Sequence, residues 1–191
     1  MRKDTAQIKF IPNESIGHMK LGMSREEIFK ALETMCIEWG VDNPTTIQIN
    51  EEMSLETDDN QVVRYTSSSN AFMPFVFIVI YKDENAVEIS VNRDLSVVYE
   101  QQTMQFVDFF GTPADVLVTY LKKFNRCICD NNDEDLGTAY VFPELGLKLS
   151  REMAFHQKLL LNDEYMDEMN QVILEEFKYC FFEFVSVTRI V

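Results

Sequence analysis

The hydrophobic and polar positions of this chain follow two periods, one near 3.6 residues and one of two residues. Apolar residues recur at steps of three and four within residues 28–35, 116–124 and 166–177. That spacing places them on one face of a helix and predicts three amphipathic helices. The first begins at Ser24-Arg25-Glu26-Glu27, where serine caps the helix and the glutamate three residues later completes a capping box.

The second and third helices are predicted from similar signals. Thr112 is predicted to cap the second helix, with Pro113 at its first helical position. Its predicted apolar stripe comprises Val116, Leu117, Tyr120, Leu121 and Phe124. The third helix is predicted over residues 162–179, with an apolar face of Met166, Met169, Ile173 and Phe177.

Strand-forming residues fill the region between the first two helices. The apolar run over residues 72–81 predicts a central strand buried on both faces, and residues 82–85 predict a hairpin turn. Residues 86–91 alternate in polarity, which predicts a strand with three residues on one face: Val87, Ile89 and Val91. Together with shorter strands at residues 46–50, 62–66 and 95–100, these segments predict an antiparallel meander.

The second half of the chain predicts a hairpin and a closing strand. Residues 138–142 and 147–149 flank Pro143-Glu144-Leu145-Gly146, which predicts a tight turn between two strands. Residues 181–190 are rich in aromatic and β-branched residues, so we expect them to pair within the sheet.

These elements predict an α+β fold, a largely antiparallel sheet with about three helices packed on it. The chain has 191 residues, 15 of them Phe, which is enough for one globular domain over residues 1–191. Gly22 and Gly111 each precede a capped helix that strands follow. Two weakly similar halves, about residues 1–105 and 106–191, are therefore a further expectation.

Residues 17–24, GHMKLGMS, match the phosphate-binding loop G-x-x-x-x-G-K-[ST] except at its lysine, where Met23 stands. That lysine carries the charge that contacts the phosphates, and a buried strand should precede the loop. Both features are missing from the pattern here. The segment is therefore predicted to be a docked loop that leads into the capped first helix.

The charge balance is typical of many soluble acidic proteins, and among possible partners it favours a basic protein. The 32 acidic and 17 basic side chains give a formal net charge of −15. Such a field repels nucleic acid and anionic membranes, so neither is expected as a partner, while a basic protein is the natural complement. The first residues contain no apolar run of signal-peptide length, and a cytoplasmic location with reduced cysteines is expected.

The side chains of catalysis and metal binding occur without their usual spacing. His18 and His156 stand in no metal-binding motif, and Cys127 and Cys129 lack the second pair of a zinc site. Cys36 and Cys180 lie among apolar residues and are predicted to be core thiols. No enzymatic activity, cofactor or metal is therefore predicted.

Two acidic runs are the candidate binding residues, since loops carry many binding contacts. The alternative is that they are simply solvated surface. The first run contains Glu51, Glu52, Glu56, Asp58 and Asp59, and the second contains Asp130, Asp133, Glu134 and Asp135.

Three segments resemble a group of small bacterial proteins. Residues 16–28 are similar to their I-G-x-x-x-L-G-M-S-x-E-E-V opening. Residues 140–152 resemble their F-P-E-L-G-[IL]-x-L-W-R-E segment, with Ser150 in place of the tryptophan, and residues 182–187 resemble their F-E-S-V-x-V strand. Members of this group look like immunity proteins of polymorphic toxin and contact-dependent inhibition systems.

The resemblance implies an antidote that binds a toxin domain and blocks its active site. The net charge is suited to a basic toxin, because opposite charge accelerates association. Two alternatives stay open. One is a small enzyme or ligand-binding domain whose site forms only in the fold, with a pocket beside a buried His or Cys. The other is a self-associating accessory protein.

Overall fold

The computed structural model describes residues 7–41, 44–49, 61–67, 75–100, 106–169 and 176–189. Within these residues three helices pack against two largely antiparallel sheets, which confirms the predicted α+β class. The helices are α1 (Arg25–Trp39), α2 (Ala114–Leu121) and α3 (Asp163–Met169). The strands are β1 (Gln7–Ile11), β2 (Ser15–Ile16), β3 (Met19–Lys20), β4 (Thr45–Ile49), β5 (Gln61–Thr66), β6 (Val76–Lys82), β7 (Asn85–Asn92), β8 (Ser96–Glu100), β9 (Phe106–Asp108), β10 (Ile128–Cys129), β11 (Ala139–Phe142), β12 (Leu147–Ser150) and β13 (Phe184–Thr188).

The described strands form a smaller and a larger sheet. The smaller has the order β3-β2-β1-β8-β9, and the larger has the order β10-β11-β12-β13-β7-β6-β5-β4. Neighbouring strands are antiparallel except β1 and β8, which run parallel. The predicted meander is correct for β4 to β7, but β8 leaves it and pairs with β1 and β9 in the smaller sheet.

The closing strand lies in the middle of the larger sheet. β13 is antiparallel to β12 on one side and to β7 on the other, which confirms that it pairs within the sheet. Ser186 Oγ of β13 lies 2.7 Å from Ser90 Oγ of β7, and both side chains are buried. Because β7 and β12 come from different halves of the chain, β13 joins the halves into one sheet. The similarity between the two halves stays a prediction.

The burial of β6 and β7 differs from the predicted pattern. Alternate residues of β6 are buried and the others are partly exposed, so this strand is fully covered on one face only. A bulge between Ile80 and Tyr81 shifts the register, so that Tyr81 pairs with Ala86. Val87 was predicted to share a face with Ile89 and Val91, but Val87 is partly exposed whereas Ala86, Ile89 and Val91 are buried.

Residues 17–24 form the docked loop that the pattern predicts. Ser24 Oγ accepts a hydrogen bond from Glu27 N, and Glu27 Oε2 accepts one from Ser24 N at 2.8 Å, which confirms the capping box. Gly17 has φ +60°, and a Cβ there would lie 2.8 Å from Met35 Cε. Gly22 N donates to Ala86 O at 2.7 Å, so the loop is held against β7.

The second helix begins one residue later than predicted. Pro113 is its N-cap, without a side-chain cap bond, so Thr112 does not have that role. The buried face consists of Ala114, Leu117, Val118 and Leu121. Val116 and Phe124 were predicted to be on that face, but they are 55% and 68% exposed.

The third helix is confirmed over its first two turns. α3 is described as far as Met169, residues 170–175 lie outside the described ranges, and Phe177–Cys180 form a 3₁₀ turn. In the described part of the chain, no helix has the length and apolar character that crossing a bilayer requires.

Candidate functional site

The acidic turn, which we define as residues 130–135, connects β10 to β11 and brings together four predicted binding residues: Asp130, Asp133, Glu134 and Asp135. Asn131 Oδ1 accepts a hydrogen bond from Asp133 N at 2.9 Å, and Asp133 Oδ1 accepts one from Asp135 N at 3.3 Å. Short Asn and Asp side chains bond the backbone two residues on in this way and replace a regular turn. The acidic run is therefore a defined structure and not an open loop.

Two lysines partly neutralise the acidic turn. Lys158 Nζ lies 2.5 Å from Asp133 Oδ1 and 2.8 Å from Asp135 Oδ2, and Lys122 pairs with Glu134. The hydrogen bond from Lys158 lowers the pKa of Asp133, so this carboxyl is ionised at neutral pH. These side chains are partly exposed to solvent, and ion pairs at the surface contribute little to stability. A cationic partner can therefore displace either lysine at little cost.

Three further hydrogen bonds fix the ends of the acidic turn. Asp130 accepts hydrogen bonds from N and Oγ1 of Thr138. The Tyr140 hydroxyl donates to Glu134 O, and burial raises the pKa of Tyr140 to about 12, so it stays a donor at neutral pH. With four carboxylates and two ammonium groups, the surface of the turn has a net charge of −2.

Arg151 directly follows β12 and holds the acidic turn in place through hydrogen bonds to its backbone and to the residues after it. Its side chain is 6% exposed and lies over the Phe182 ring, 5.7 Å from the centroid. Its guanidinium donates to Gly137 O at 2.9 Å, Tyr179 O at 2.8 Å and Asp135 O at 3.1 Å. The fork of one arginine thus ties the acidic turn to the segment before β13. Sequence reasoning missed this role, because hydrogen bonds from an arginine to backbone carbonyls require no particular partner residue in the sequence.

A groove of about 310 Å³ opens beside the acidic turn. It lies between the start of α2, residues 155–157 and the 3₁₀ turn before β13. Val116 and Phe177, which are 55% and 40% exposed, leave apolar surface open there. The groove is lined by Pro113, Asp115, Val116, Phe155, His156, Gln157, Phe177, Cys180 and Phe181.

The fold brings three ionisable side chains to this groove: His156, Asp115 and Cys180. His156 Nδ1 accepts a hydrogen bond from Lys158 N at 3.1 Å, which places the proton of a neutral ring on Nε2. Asp115 Oδ2 lies 3.9 Å from that Nε2, beyond direct hydrogen-bond distance. Cys180 lines the groove instead of filling the core as predicted, and burial raises the pKa of its thiol. The thiol is therefore protonated at neutral pH and is not an activated nucleophile.

Lys158 and Arg151 link the groove to the acidic turn. The backbone N–H of Lys158 orients His156 in the groove, while its ammonium group binds Asp133 and Asp135 in the turn. Arg151 reaches the turn through Asp135 O and the groove segment through Tyr179 O. The two features are therefore positioned by the same residues.

The other candidate side chains have separate places in the structure. His18 Nε2 lies 3.0 Å from the Glu38 carboxylate at the surface, so it does not join the groove. Cys36 is buried as predicted, and burial raises the pKa values of Cys36 and Cys127 to about 11. Among the described residues, no three His, Cys, Asp or Glu side chains are close enough to hold a metal ion.

The first acidic run lies outside the described residues, so its predicted role stays a prediction. Its members are Glu51, Glu52, Glu56, Asp58 and Asp59. Comparison of the chain with protein-family models, curated proteins and solved structures finds no match. Function is therefore inferred from the acidic turn and the groove.

Proposed function

We propose that this protein is a non-enzymatic antidote that binds a basic toxin domain through the acidic turn and the groove. The observation that carries the proposal is the acidic turn held by buried Arg151 beside exposed apolar surface. A surface that is ordered before it binds loses little conformational entropy on association. Such preordering is expected of a protein that must capture its target fast and tightly.

Charge supports a basic partner. The formal net charge is −15, and the acidic turn is an exposed part of that field. Complementary charge raises the association rate by about 10- to 1,000-fold at low salt. Cations of the partner can replace Lys122 and Lys158 at the turn, because exposed ion pairs exchange at small cost.

The groove supplies the apolar part of such an interface. Protein interfaces combine an apolar centre with a polar rim, and a few anchor residues carry most of the affinity. Val116 and Phe177 provide the centre, and Asp115 and the acidic turn provide the rim. Cys180 is a protonated thiol, and His156 is too far from Asp115 for a direct hydrogen bond, so the groove is better suited to binding than to catalysis.

The resemblance of residues 16–28, 140–152 and 182–187 to immunity proteins supports the partner class. Arg151, which orders the acidic turn, belongs to the second of these segments. We propose that the protein acts in the cytoplasm.

The test compares two variants that each remove two negative charges. Asp133→Asn with Asp135→Asn neutralises the acidic turn, whereas Asp83→Asn with Glu84→Gln neutralises the exposed β6–β7 hairpin. Each tagged protein is incubated with lysate of the native host, eluted with salt and analysed by mass spectrometry. We expect the wild type and the hairpin variant to retain one basic toxin-like protein, and the turn variant to lose it.

Growth rescue provides the second readout of the same comparison. The captured protein is expressed in a heterologous host with each antidote variant, and we expect rescue by the wild type and the hairpin variant only. The proposal is wrong if salt elutes no basic protein, or if the turn variant binds and protects as well as the wild type.

A second candidate function is binding of a small molecule. The groove volume of about 310 Å³ is at the lower end of the ligand-pocket range of about 300–1,000 Å³. Asp115, His156 and Cys180 add polar groups to its apolar walls. A fragment screen by ligand-detected NMR tests this function. Fragments that compete with each other and lose binding in Phe177→Ala would support it over the antidote function.

A further inference from the structure

We infer that the groove receives one arginine side chain of the basic partner, with its guanidinium on Asp115 and its methylene stem on the apolar walls. This inference rests on the proposed function, which it deepens by naming the side chain that enters the groove.

The charge in the groove favours a cation. Asp115 lies in the first turn of α2, and its side chain is 48% exposed. Its ion-pair partner among the described residues is His156, at 3.9 Å and therefore not in direct hydrogen-bond contact. The carboxylate thus retains oxygen lone pairs that face solvent at the groove. A guanidinium can bind such a carboxylate through two parallel N–H···O bonds.

The walls of the groove are suited to a planar cation on an apolar stem. Phe155, Phe177 and Phe181 line it, and Phe155 and Phe177 lie with their ring centroids 5.1 Å apart. Arginine stacks its planar guanidinium on aromatic faces, and its methylene groups cover apolar surface. Lysine has a compact and strongly hydrated ammonium group, which gains less from such walls.

The orientation of His156, together with the charge of Asp115, limits the classes of ligand that the groove can bind. Its Nδ1 is occupied by the Lys158 N–H, so the ring cannot offer that acceptor to a ligand. Its Nε2 faces Asp115. An anionic ligand would face the Asp115 carboxylate in a protein of net charge −15, and a purely apolar side chain would desolvate that carboxylate without a bond. Arginine satisfies both the charge and the apolar walls.

The experiment uses three capped tripeptides as probes: acetyl-Gly-Arg-Gly-amide, its citrulline analogue and its lysine analogue. Citrulline has nearly the shape of arginine but no charge. Each is titrated to millimolar concentration into the full ¹⁵N-labelled chain, and amide shifts are recorded. We expect the arginine peptide to shift residues 113–116, 155–157 and 177–181, the lysine peptide to do so more weakly, and the citrulline peptide not at all.

Two groove variants and one control complete the design. Asp115→Asn should weaken binding of the arginine peptide by about tenfold, since it removes a charge-assisted pair. Phe177→Leu, which keeps an apolar wall without the ring, should weaken it by about threefold. Asp83→Asn removes an equal charge from the distant hairpin turn and should change nothing. Circular dichroism checks that each variant is folded.

Three results overturn the inference: no groove shifts with the arginine peptide, equal binding of the citrulline peptide, or unchanged affinity in Asp115→Asn. Its failure is distinct from failure of the proposed function. If a basic toxin is captured through the acidic turn but the arginine peptide does not bind the groove, only this inference fails. If the peptide binds and no toxin is captured, the groove remains an arginine site and the antidote function is wrong.

Discussion

Replacement of Arg151 by methionine should destabilise the fold and disorder the acidic turn together. Methionine fills a similar volume over the Phe182 ring, so the change mainly removes the guanidinium. It removes the hydrogen bonds to three backbone carbonyls, those of Asp135, Gly137 and Tyr179, of which Tyr179 O keeps a bond from Phe155 N at 3.4 Å. One substitution therefore separates the acidic turn from the segment that leads into β13.

The magnitude follows from the three bonds and from the charge. A hydrogen bond from a charged donor contributes about 1.5 kcal/mol or more, so the loss from three bonds is about 4–5 kcal/mol. Methionine avoids the cost of burying a guanidinium, which offsets part of that loss. We therefore expect the free energy of unfolding to fall by about 2–4 kcal/mol.

Urea unfolding measures this change through the fluorescence of Trp39, the single tryptophan, which packs against Phe75 in the core. Arg151→Lys keeps the charge but cannot form the three-bond fork, so it should recover only part of the stability. Arg93→Met is the control, because exposed Arg93 makes one long bond of 3.4 Å to Lys178 O. A loss below about 1 kcal/mol in Arg151→Met, or full stability in Arg151→Lys, would refute the assigned role.

Three further changes test other parts of the fold. Ser24→Ala removes the side-chain cap of α1 and should cost about 1 kcal/mol in urea unfolding, with no loss expected for Ser96→Ala on β8. Gly146→Ala should cost at least about 2 kcal/mol, since Gly146 has φ +55° and a Cβ would lie 2.6 Å from Thr188 O; a stability equal to wild type would contradict this. The lowered pKa of Asp133 means that its bond to Lys158 stabilises the fold above the ordinary value of 3.8, and that this contribution is lost as pH falls through the lower folded value. Asp133→Asn should therefore reduce the fall of Tm on acidification. If the dependence of Tm on pH is the same as in the wild type, the Asp133–Lys158 pair does not contribute to the acid sensitivity of the fold.

Local sequence signals predicted those features that neighbouring residues determine by themselves. The capping box at Ser24 and Glu27 needs only four consecutive residues, and it forms as predicted. The β6–β7 hairpin is likewise local, with Asp83 and Glu84 at positive φ. Such features follow from backbone preferences that hold whatever the rest of the chain does.

Long-range pairing could not be deduced from the same signals. β1 and β8 pair in parallel although about ninety residues separate them, and no local pattern distinguishes that pairing from a continued meander. The buried face of α2 was predicted incorrectly for a related reason. The helix sequence is apolar on nearly every side, so its periodicity did not decide whether Val116 or Val118 faces the core. In the fold Val118 packs into the core, whereas Val116 is exposed and lines the groove.

The sequence predicted the negative charge of the candidate site but not which residues the fold brings together there. The sequence indicated the acidic residues of the turn, since their clustering is visible in the chain. The groove combines Asp115, His156 and Cys180, whose positions are up to 65 residues apart, and only the fold brings them together. The exposed Val116 and Phe177 belonged to predicted helix stripes, so their role at the surface had no sequence signal.

Much of the shape of the acidic turn is held by groups that do not contribute to its negative charge. The buried Arg151 side chain and the Tyr140 hydroxyl hold the backbone of the acidic turn through its carbonyls. The carboxylates of the same turn bind exposed lysines in pairs that contribute little to folding. Neutralising those carboxylates should therefore weaken association with a cationic partner while the turn keeps its shape. Because asparagine keeps an Oδ1 acceptor for Asp135 N, Asp133→Asn removes charge without removing this bond, and a loss of binding then reports on recognition and not on unfolding.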